Sequence, residues 1–135
     1  KKNMELGITV VALGGGGSRV IRKNGGIIGS EAVIDKDRSS ALLAKNLDVD
    51  LFIISTDTDQ VYLNYKKDNQ QGIRTATADE MQKYFDEGHF PTGSMGPKVE
   101  SAIKFLRNGG KKVIITSYEY LMDALGCKMG THIVP

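Results

Sequence analysis

Two short stretches carry lysines where a phosphate would find them. In Gly93-Ser-Met-Gly-Pro-Lys98 a glycine-rich turn ends in a proline and a lysine, and an amphipathic pattern follows at once. Pro97 suits the first position of a helix, where its missing N–H costs nothing. Lys98 then falls in the first turn, beside unpaired backbone N–H groups and the positive end of the helix dipole. Backbone and ammonium together can hold an anion there. In Asp35-Lys36-Asp37 a lysine stands between two carboxylates at the start of another helical pattern. That arrangement can aim an ammonium at a phosphate while a carboxylate holds its geometry. The plainer reading of both stretches is a capped helix with a solvated lysine.

Further along, Thr56-Asp57 follows a β-branched run and can meet a ribose or a phosphate; the plainer reading is an Asx-type turn. Tyr62 and Tyr65 are spaced to flank a flat ring such as adenine, although core packing competes for at least one of them. His89 stands alone in a loop and reads as a hydrogen-bonding residue. The four glycines Gly14, Gly15, Gly16 and Gly17 invite a dinucleotide reading and do not satisfy it. G-x-G-x-x-G started at Gly14 puts Arg19 at the third glycine, and started at Gly15 it puts Val20 there. No Gly-Lys-Ser/Thr follows, which excludes a P-loop. What remains is a tight strand exit, or a loop where backbone comes close to a ligand.

Composition narrows the field. At 135 residues the chain can build one modest domain. A net charge of +2 gives no footprint for nucleic acid or for an anionic membrane. No apolar run is long enough to span a bilayer as a helix. A single cysteine, Cys127, allows no internal disulfide and suits a reducing, cytoplasmic setting. With only His89, His132 and Cys127 as soft ligands, no zinc site is expected, and no residue is assigned as a metal ligand.

These residues must be positioned by alternating strands and helices. Lys1–Leu6 reads as the polar end of a helix stopped by Gly7, and Ile8–Leu13 as a buried parallel strand feeding the glycines. Residues 18–34 read as loop with a short hairpin. A helix begins near Asp35–Asp37 and runs through Leu47, and Leu51–Ile54 is a second buried strand. Val61–Tyr65 reads as a short strand, 66–74 as a polar excursion, and Thr77-Ala-Asp-Glu80 as a capping box opening a helix to about Glu87. After a loop at 88–96, a helix runs from Pro97 to Asn108, with Val99, Ala102, Ile103 and Leu106 on its buried face. Val113–Ile115 is a third strand, and Thr116-Ser-Tyr-Glu119 a second capping box opening a helix that ends at Gly126. Thr131–Val134 closes the chain as an edge strand. The pattern predicts an α/β fold, a three-layer α/β/α open and mostly parallel sheet, with ligands bound at the carboxyl ends of its strands. Gly14–Gly17, Thr56–Asp59, Thr116–Ser117 and Lys98 are then expected to converge at one edge.

Taken in order, Gly14–Gly17, Glu31-Ala-Val-Ile-Asp-Lys-Asp37, Ala41-Leu-Leu-Ala44, Thr56-Asp57, Gly88-His-Phe90, Gly93–Lys98 and Gly130-Thr-His-Ile-Val-Pro135 resemble the C-terminal portion of the carbamate kinases, within the wider amino-acid kinase group. The resemblance runs from about residue 7 to the end. It implies a cytoplasmic homodimer, without nucleic-acid or membrane partners, that uses ATP/ADP and Mg2+ to move a phosphoryl group between carbamoyl phosphate and ADP in arginine catabolism. It implies that Lys36 and Lys98 stabilise charge on the transferring group and that Asp37 orients them. Thr56, Asp57, Tyr62, Met95 and Gly96 would lie near the nucleotide, and Gly14, Gly15, Gly16 and Gly17 would line the carbamoyl side. Two positions depart from the family pattern: Ser18-Arg19 follows the glycines, and Gln60 stands where related kinases often have glycine. The family's amino-terminal half is not among these residues. Residues 1–135 are therefore expected to be a single nucleotide-binding domain of a longer chain, inactive by itself. Another amino-acid kinase, acting on an acceptor such as acetylglutamate, and a non-catalytic nucleotide-binding or dimerisation module are the competing readings.

Overall fold

The computed structural model describes residues 1–13, 20–30 and 35–135. Helix α1 (Lys2–Glu5) is a short turn closed by Gly7, whose φ of +73° needs no side chain. Strands β1 (Val20–Lys23) and β2 (Gly26–Gly29) form an antiparallel hairpin. Asn24 and Gly25 turn it with φ values of 51° and 77°, as a two-residue primed turn requires. Helix α2 (Lys36–Leu47) is capped by Asp35, whose Oδ1 accepts the Arg38 N–H at 2.9 Å. Strand β3 (Leu51–Thr56) leads to a hairpin of β4 (Val61–Leu63) and β5 (Gln71–Ile73), then β6 (Thr75–Thr77) and α3 (Ala78–Asp86). Both halves of the capping box between Thr77 and Glu80 are formed. Helix α4 (Met95–Arg107), β7 (Lys112–Ser117), a 3-10 turn (Tyr118–Tyr120), α5 (Leu121–Leu125) and β8 (Thr131–Val134) complete the chain.

The main sheet has the order β3-β7-β8-β6. β3 is parallel to β7 and β6 to β8, while β7 and β8 are antiparallel. Alternation along the strands divides the core between two faces. Phe52, Ile54, Val113, Ile115 and Ile133 join the helices α2, α3 and α4 in one apolar cluster. The Phe52 and Phe105 rings lie 5.3 Å apart within it. Ile114 and Thr116 point the other way, where α5 packs on β7. Gly130 allows that approach: a Cβ there would meet the Thr116 and Ala124 Cβ atoms at 3.1 and 3.3 Å. The α/β/α layering with a parallel-rich sheet follows the sequence pattern.

Several expected elements differ. Residues 8–13 form no strand, and Ile8, Val10, Val11 and Leu13 are exposed. A β-branched run states a preference for a pleated, half-buried surface; it does not supply the neighbouring strand that a ladder needs. Thr131–Val134 is an interior strand, with β7 on one side and β6 on the other. Its edge reading failed because β6, a three-residue strand just before a capping box, gives almost no periodic signal. The polar excursion at 66–74 contains β5, so Val61–Leu63 is half of a hairpin. The second capping box does not form: β7 runs on through Ser117, and Ser117 makes no side-chain cap bond.

Two of the misread threonines act as cross-ties. The Thr116 hydroxyl donates to the Asp59 carbonyl at 3.1 Å. Thr131 Oγ1 accepts the Val61 N–H at 2.8 Å and donates to the Ile73 carbonyl at 2.5 Å, pinning both strands of the β4–β5 hairpin to the sheet. Replacing Thr131 with Val removes both bonds and leaves two covered backbone groups unpaired. Thr131→Val is expected to lower stability by about 1–3 kcal/mol in urea unfolding; an unchanged midpoint would show that the hairpin is held by other contacts.

Candidate functional site

Helices α2 and α4 lie side by side and run in the same direction. Asp37 meets Lys98, Arg38 meets Glu100 and Lys45 meets Asn108, in rising order along both. Their N-terminal turns therefore arrive together, below the carboxyl end of β3. Lys98 Nζ sits 2.9 Å from Asp37 Oδ2, and Lys36 Nζ lies 3.7 Å from the same oxygen. The Asp37 and Lys98 side chains are each 12% exposed, whereas that of Lys36 is 73% exposed. One carboxylate neutralises one ammonium, so the trio presents a net positive charge. Its largely buried half is a fixed ion pair, since removing either partner would strand a charge out of water.

This trio borders a cleft of about 320 Å3 walled by Asp35, Ser55, Thr56, Asp57 and the Gly93–Ser94 turn. Thr56, Asp57 and Ser94 also border a second cleft of about 240 Å3, lined further by Gln60, Tyr62, Tyr65, Phe90 and Met95. The two clefts are thus neighbours, one charged and one aromatic. The Tyr62 and Tyr65 rings lie 5.9 Å apart at 31°, and Lys66 Nζ is 5.4 Å from the Tyr65 ring centre. Thr56 Oγ1 donates to Asp57 Oδ1 at 3.1 Å, and the Tyr62 hydroxyl to Asp59 Oδ1 at 2.8 Å. The Gln60 amide acts on the Tyr62 oxygen as a donor and lowers its pKa. Burial and the Asp59 carboxylate outweigh it and hold the phenol above the usual tyrosine value.

The structure brings Lys36, Asp37 and Lys98 to the charged cleft, Tyr62 and Met95 to the aromatic one, and Thr56 and Asp57 to their boundary. Gly96 borders neither. It is buried under the loop, where its N–H donates to the Pro91 carbonyl at 2.8 Å and a Cβ would meet that oxygen. Helix α4 starts two residues earlier than its proline suggests, so Pro97 is the third helical residue rather than the first. With the Gly96 N–H committed and Pro97 lacking one, this helix end offers an anion chiefly the Lys98 ammonium. Gly14, Gly15, Gly16 and Gly17 lie outside the described residues, as do Ser18, Arg19 and Glu31–Ile34. Thr116 reaches the site only through the Asp59 carbonyl. His89 is turned aside, 3.3 Å from Glu87 and edge-on to Tyr84. Thr58 and Ser94 line the clefts from within the Thr56–Asp59 and Gly93–Lys98 stretches, whereas Lys66, at positive φ like Asn64, lines the aromatic cleft from a turn that nothing in the sequence singled out. Among the described residues no three His, Cys, Asp or Glu side chains gather into a metal-holding group, and no helix is long and apolar enough to cross a membrane.

A cleft carrying two lysines among three aspartates, beside an aromatic one at the carboxyl end of a parallel strand, defines a site for an elongated ligand whose anionic end meets the lysines and whose flat end meets the rings. The chain belongs to the amino acid kinase family, whose profile matches residues 1–117. It is 45% identical over 135 residues, all of this chain and 43% of the relative, to the carbamate kinase of Pyrococcus horikoshii. Among solved structures it is similar to a Giardia carbamate kinase, with a TM-score of 0.89 and 39% identity over 98% of this chain and 46% of the other. It is also similar to the Giardia lamblia carbamate kinase bound to AMP-PNP, with a TM-score of 0.81 and 43% identity over 85% of this chain and 40% of the other. The chain thus spans less than half the length of these relatives.

The cap that starts α2 also sets a pH response. The Arg38 N–H holds the Asp35 carboxyl below the ordinary aspartate value against the opposing effect of burial. A carboxyl depressed in the folded state contributes stability above its unfolded pKa of about 3.9 and loses it as pH falls through the lower, folded value. Asp35→Ala is expected to cost about 1 kcal/mol near neutrality. Asp35→Asn keeps the cap, so unfolding midpoints near pH 7 should stay close to the parent's while the decline below about pH 4 becomes shallower. Parallel pH curves for the parent and the Asn variant would show that Asp35 is not the titrating group.

Proposed function

We propose that the protein carrying this chain is a carbamate kinase, transferring the phosphoryl group of carbamoyl phosphate to ADP to give carbamate and ATP. The observation that carries this reading is the pair of ammonium groups on one carboxylate oxygen at the mouth of the polar cleft. The similarity to carbamate kinases supports it, including the one bound to AMP-PNP. Residues 1–135 act in this reading as the nucleotide-binding domain of a longer chain. The base of ADP enters the aromatic cleft against Tyr62, Tyr65 and Met95, and its phosphates extend past Thr56 and Asp57 toward the lysines.

A terminal β-phosphate oxygen of ADP attacks the phosphorus of carbamoyl phosphate. The bond from phosphorus to the carbamoyl oxygen breaks, and carbamate departs with that oxygen and its electron pair. Such a transfer asks the protein mainly for alignment and charge stabilisation. Lys98, fixed by Asp37, supplies a preorganised positive charge, and the more exposed Lys36 closes on the equatorial oxygens from the solvent side. Asp37 keeps both ammonium groups aimed and takes no proton. The donor set suits Mg2+, which favours oxygen ligands and usually keeps water and phosphate oxygens beside one or two carboxylates. Asp57 is the carboxylate at the boundary of the clefts, and the ion supplies neutralising charge to the phosphates. We place the enzyme in the cytoplasm, as a homodimer, running toward ATP in arginine catabolism.

The test is coupled ATP formation by the full-length protein from ADP and carbamoyl phosphate. Turnover of acetylglutamate without turnover of carbamoyl phosphate would overturn the substrate assignment. Lys98→Ala is expected to lower kcat by at least about two orders of magnitude, as does loss of a preorganised charge-stabilising donor. Lys36→Ala should behave similarly, and Asp37→Asn should reduce kcat more than nucleotide affinity. An unchanged kcat for Lys98→Ala would remove that lysine from the mechanism.

A further inference from the structure

The aromatic cleft contains polar atoms that the fold leaves unused. Thr58 and Gln60 both line it, and Thr58 Oγ1 and Gln60 Oε1 are almost fully covered without a hydrogen-bond partner among the described residues. Covered polar atoms without partners are uncommon in folded proteins and call for an explanation. Two other side-chain oxygens of the cleft are engaged: Thr56 with Asp57, and Tyr62 with Asp59. The Gln60 amide is also oriented. The Tyr62 hydroxyl gives its proton to Asp59, and the nitrogen end of the Gln60 amide packs nearest Gly72. The carbonyl oxygen is then the end left over. Gly72 makes room for this side chain, because a Cβ at that position would collide with Gln60 Nε2.

We propose that Gln60, seated against Gly72, selects a 6-amino purine over a 6-oxo purine in the aromatic cleft, its free carbonyl oxygen accepting the exocyclic N–H while the Thr58 hydroxyl donates to an adjacent ring nitrogen. This rests on the reading of that cleft as a nucleotide site and adds a specificity residue to it. An acceptor-only oxygen rewards the amino group of adenine and opposes the carbonyl oxygen at the same position of hypoxanthine or guanine. A site built to hydrogen-bond a ligand group discriminates more sharply than a merely apolar pocket, because the wrong ligand leaves the covered partner unpaired.

The experiment is calorimetric titration of the full-length protein with ADP and with IDP, which replaces the 6-amino group by a 6-oxo group. The parent is expected to bind ADP at least about tenfold more tightly than IDP, as follows from losing one such bond. Gln60→Ala should bring the two within about threefold by weakening ADP alone. Gln60→Met fills the same space without an acceptor and serves if the alanine variant does not fold. Gly72→Ala, which pushes the amide from its seat, should reproduce the loss with IDP affinity unmoved; a merely loosened hairpin would weaken both nucleotides alike. Retention of the ADP preference in the Gln60 variants, or equal weakening of both ligands, overturns the proposal. Failure of the parent to bind either nucleotide overturns the kinase reading beneath it.

Discussion

One carboxylate oxygen ties together the starts of two helices. Asp37 Oδ2 is shared by two ammonium groups 2.9 and 3.7 Å away, and these come from different elements. A shared acceptor of this kind demands that α2 and α4 start at the same level and run the same way. The parallel pairing of β3 with β7 and the packing of both helices on one face of the sheet meet that demand. The two lysines are not equivalent. Lys98 is held where few water molecules reach, so its charge is directed and hard to reorganise, while Lys36 keeps the freedom of a solvated arm. A fixed charge and a mobile one suit a polyphosphate that must enter, be held and leave.

The elements beneath this pair were legible because they obey single-period rules. Asp35 as a cap, Thr77 with Glu80 as a capping box, and the 3.6-residue spacing from Val99 to Leu106 are local signals, and each formed in place. What went unread depended on partners distant in sequence. Thr116 and Glu119 have the spacing of a capping box, yet the Thr116 hydroxyl faces the Asp59 carbonyl, 57 residues away, and the strand simply continues. Thr131 sits interior because β6, three residues long, pairs with β8. Ile8–Leu13 had strand composition and no partner strand among the described residues. Local pattern conveys preference; pairing is settled by the whole sheet.

The same division holds within the site. The charged cleft could be assembled from the sequence because its lysines and acids stand at helix starts, where capping rules apply. The aromatic cleft could not be assembled in full. It depends on a hairpin whose turn carries Asn64 and Lys66 at positive φ, residues that tolerate this conformation without announcing it. Gly96 shows the opposite error. A glycine beside a lysine at a helix start looks like a place for phosphate to approach the backbone, but its missing side chain is needed for the Pro91 carbonyl packed against it.

Among the described residues, those that line the two clefts all lie from Asp35 onward. The apolar cluster begins at Ala41, and among the described residues before Asp35 no side chain is buried. Leu6, Val11, Val20 and Ile27 are more than half exposed. Burial is what converts apolar side chains into rigidity, at roughly 25 cal/mol for each Å2 removed from water. The Lys36–Asp37–Lys98 trio is therefore anchored by the packed part of the fold, through α2, α4 and β3. The Thr131 and Thr116 cross-ties anchor the aromatic cleft to the same sheet. Charge placement and the shape of the flat pocket rest on one core, so a disturbance of β7 or β8 reaches both.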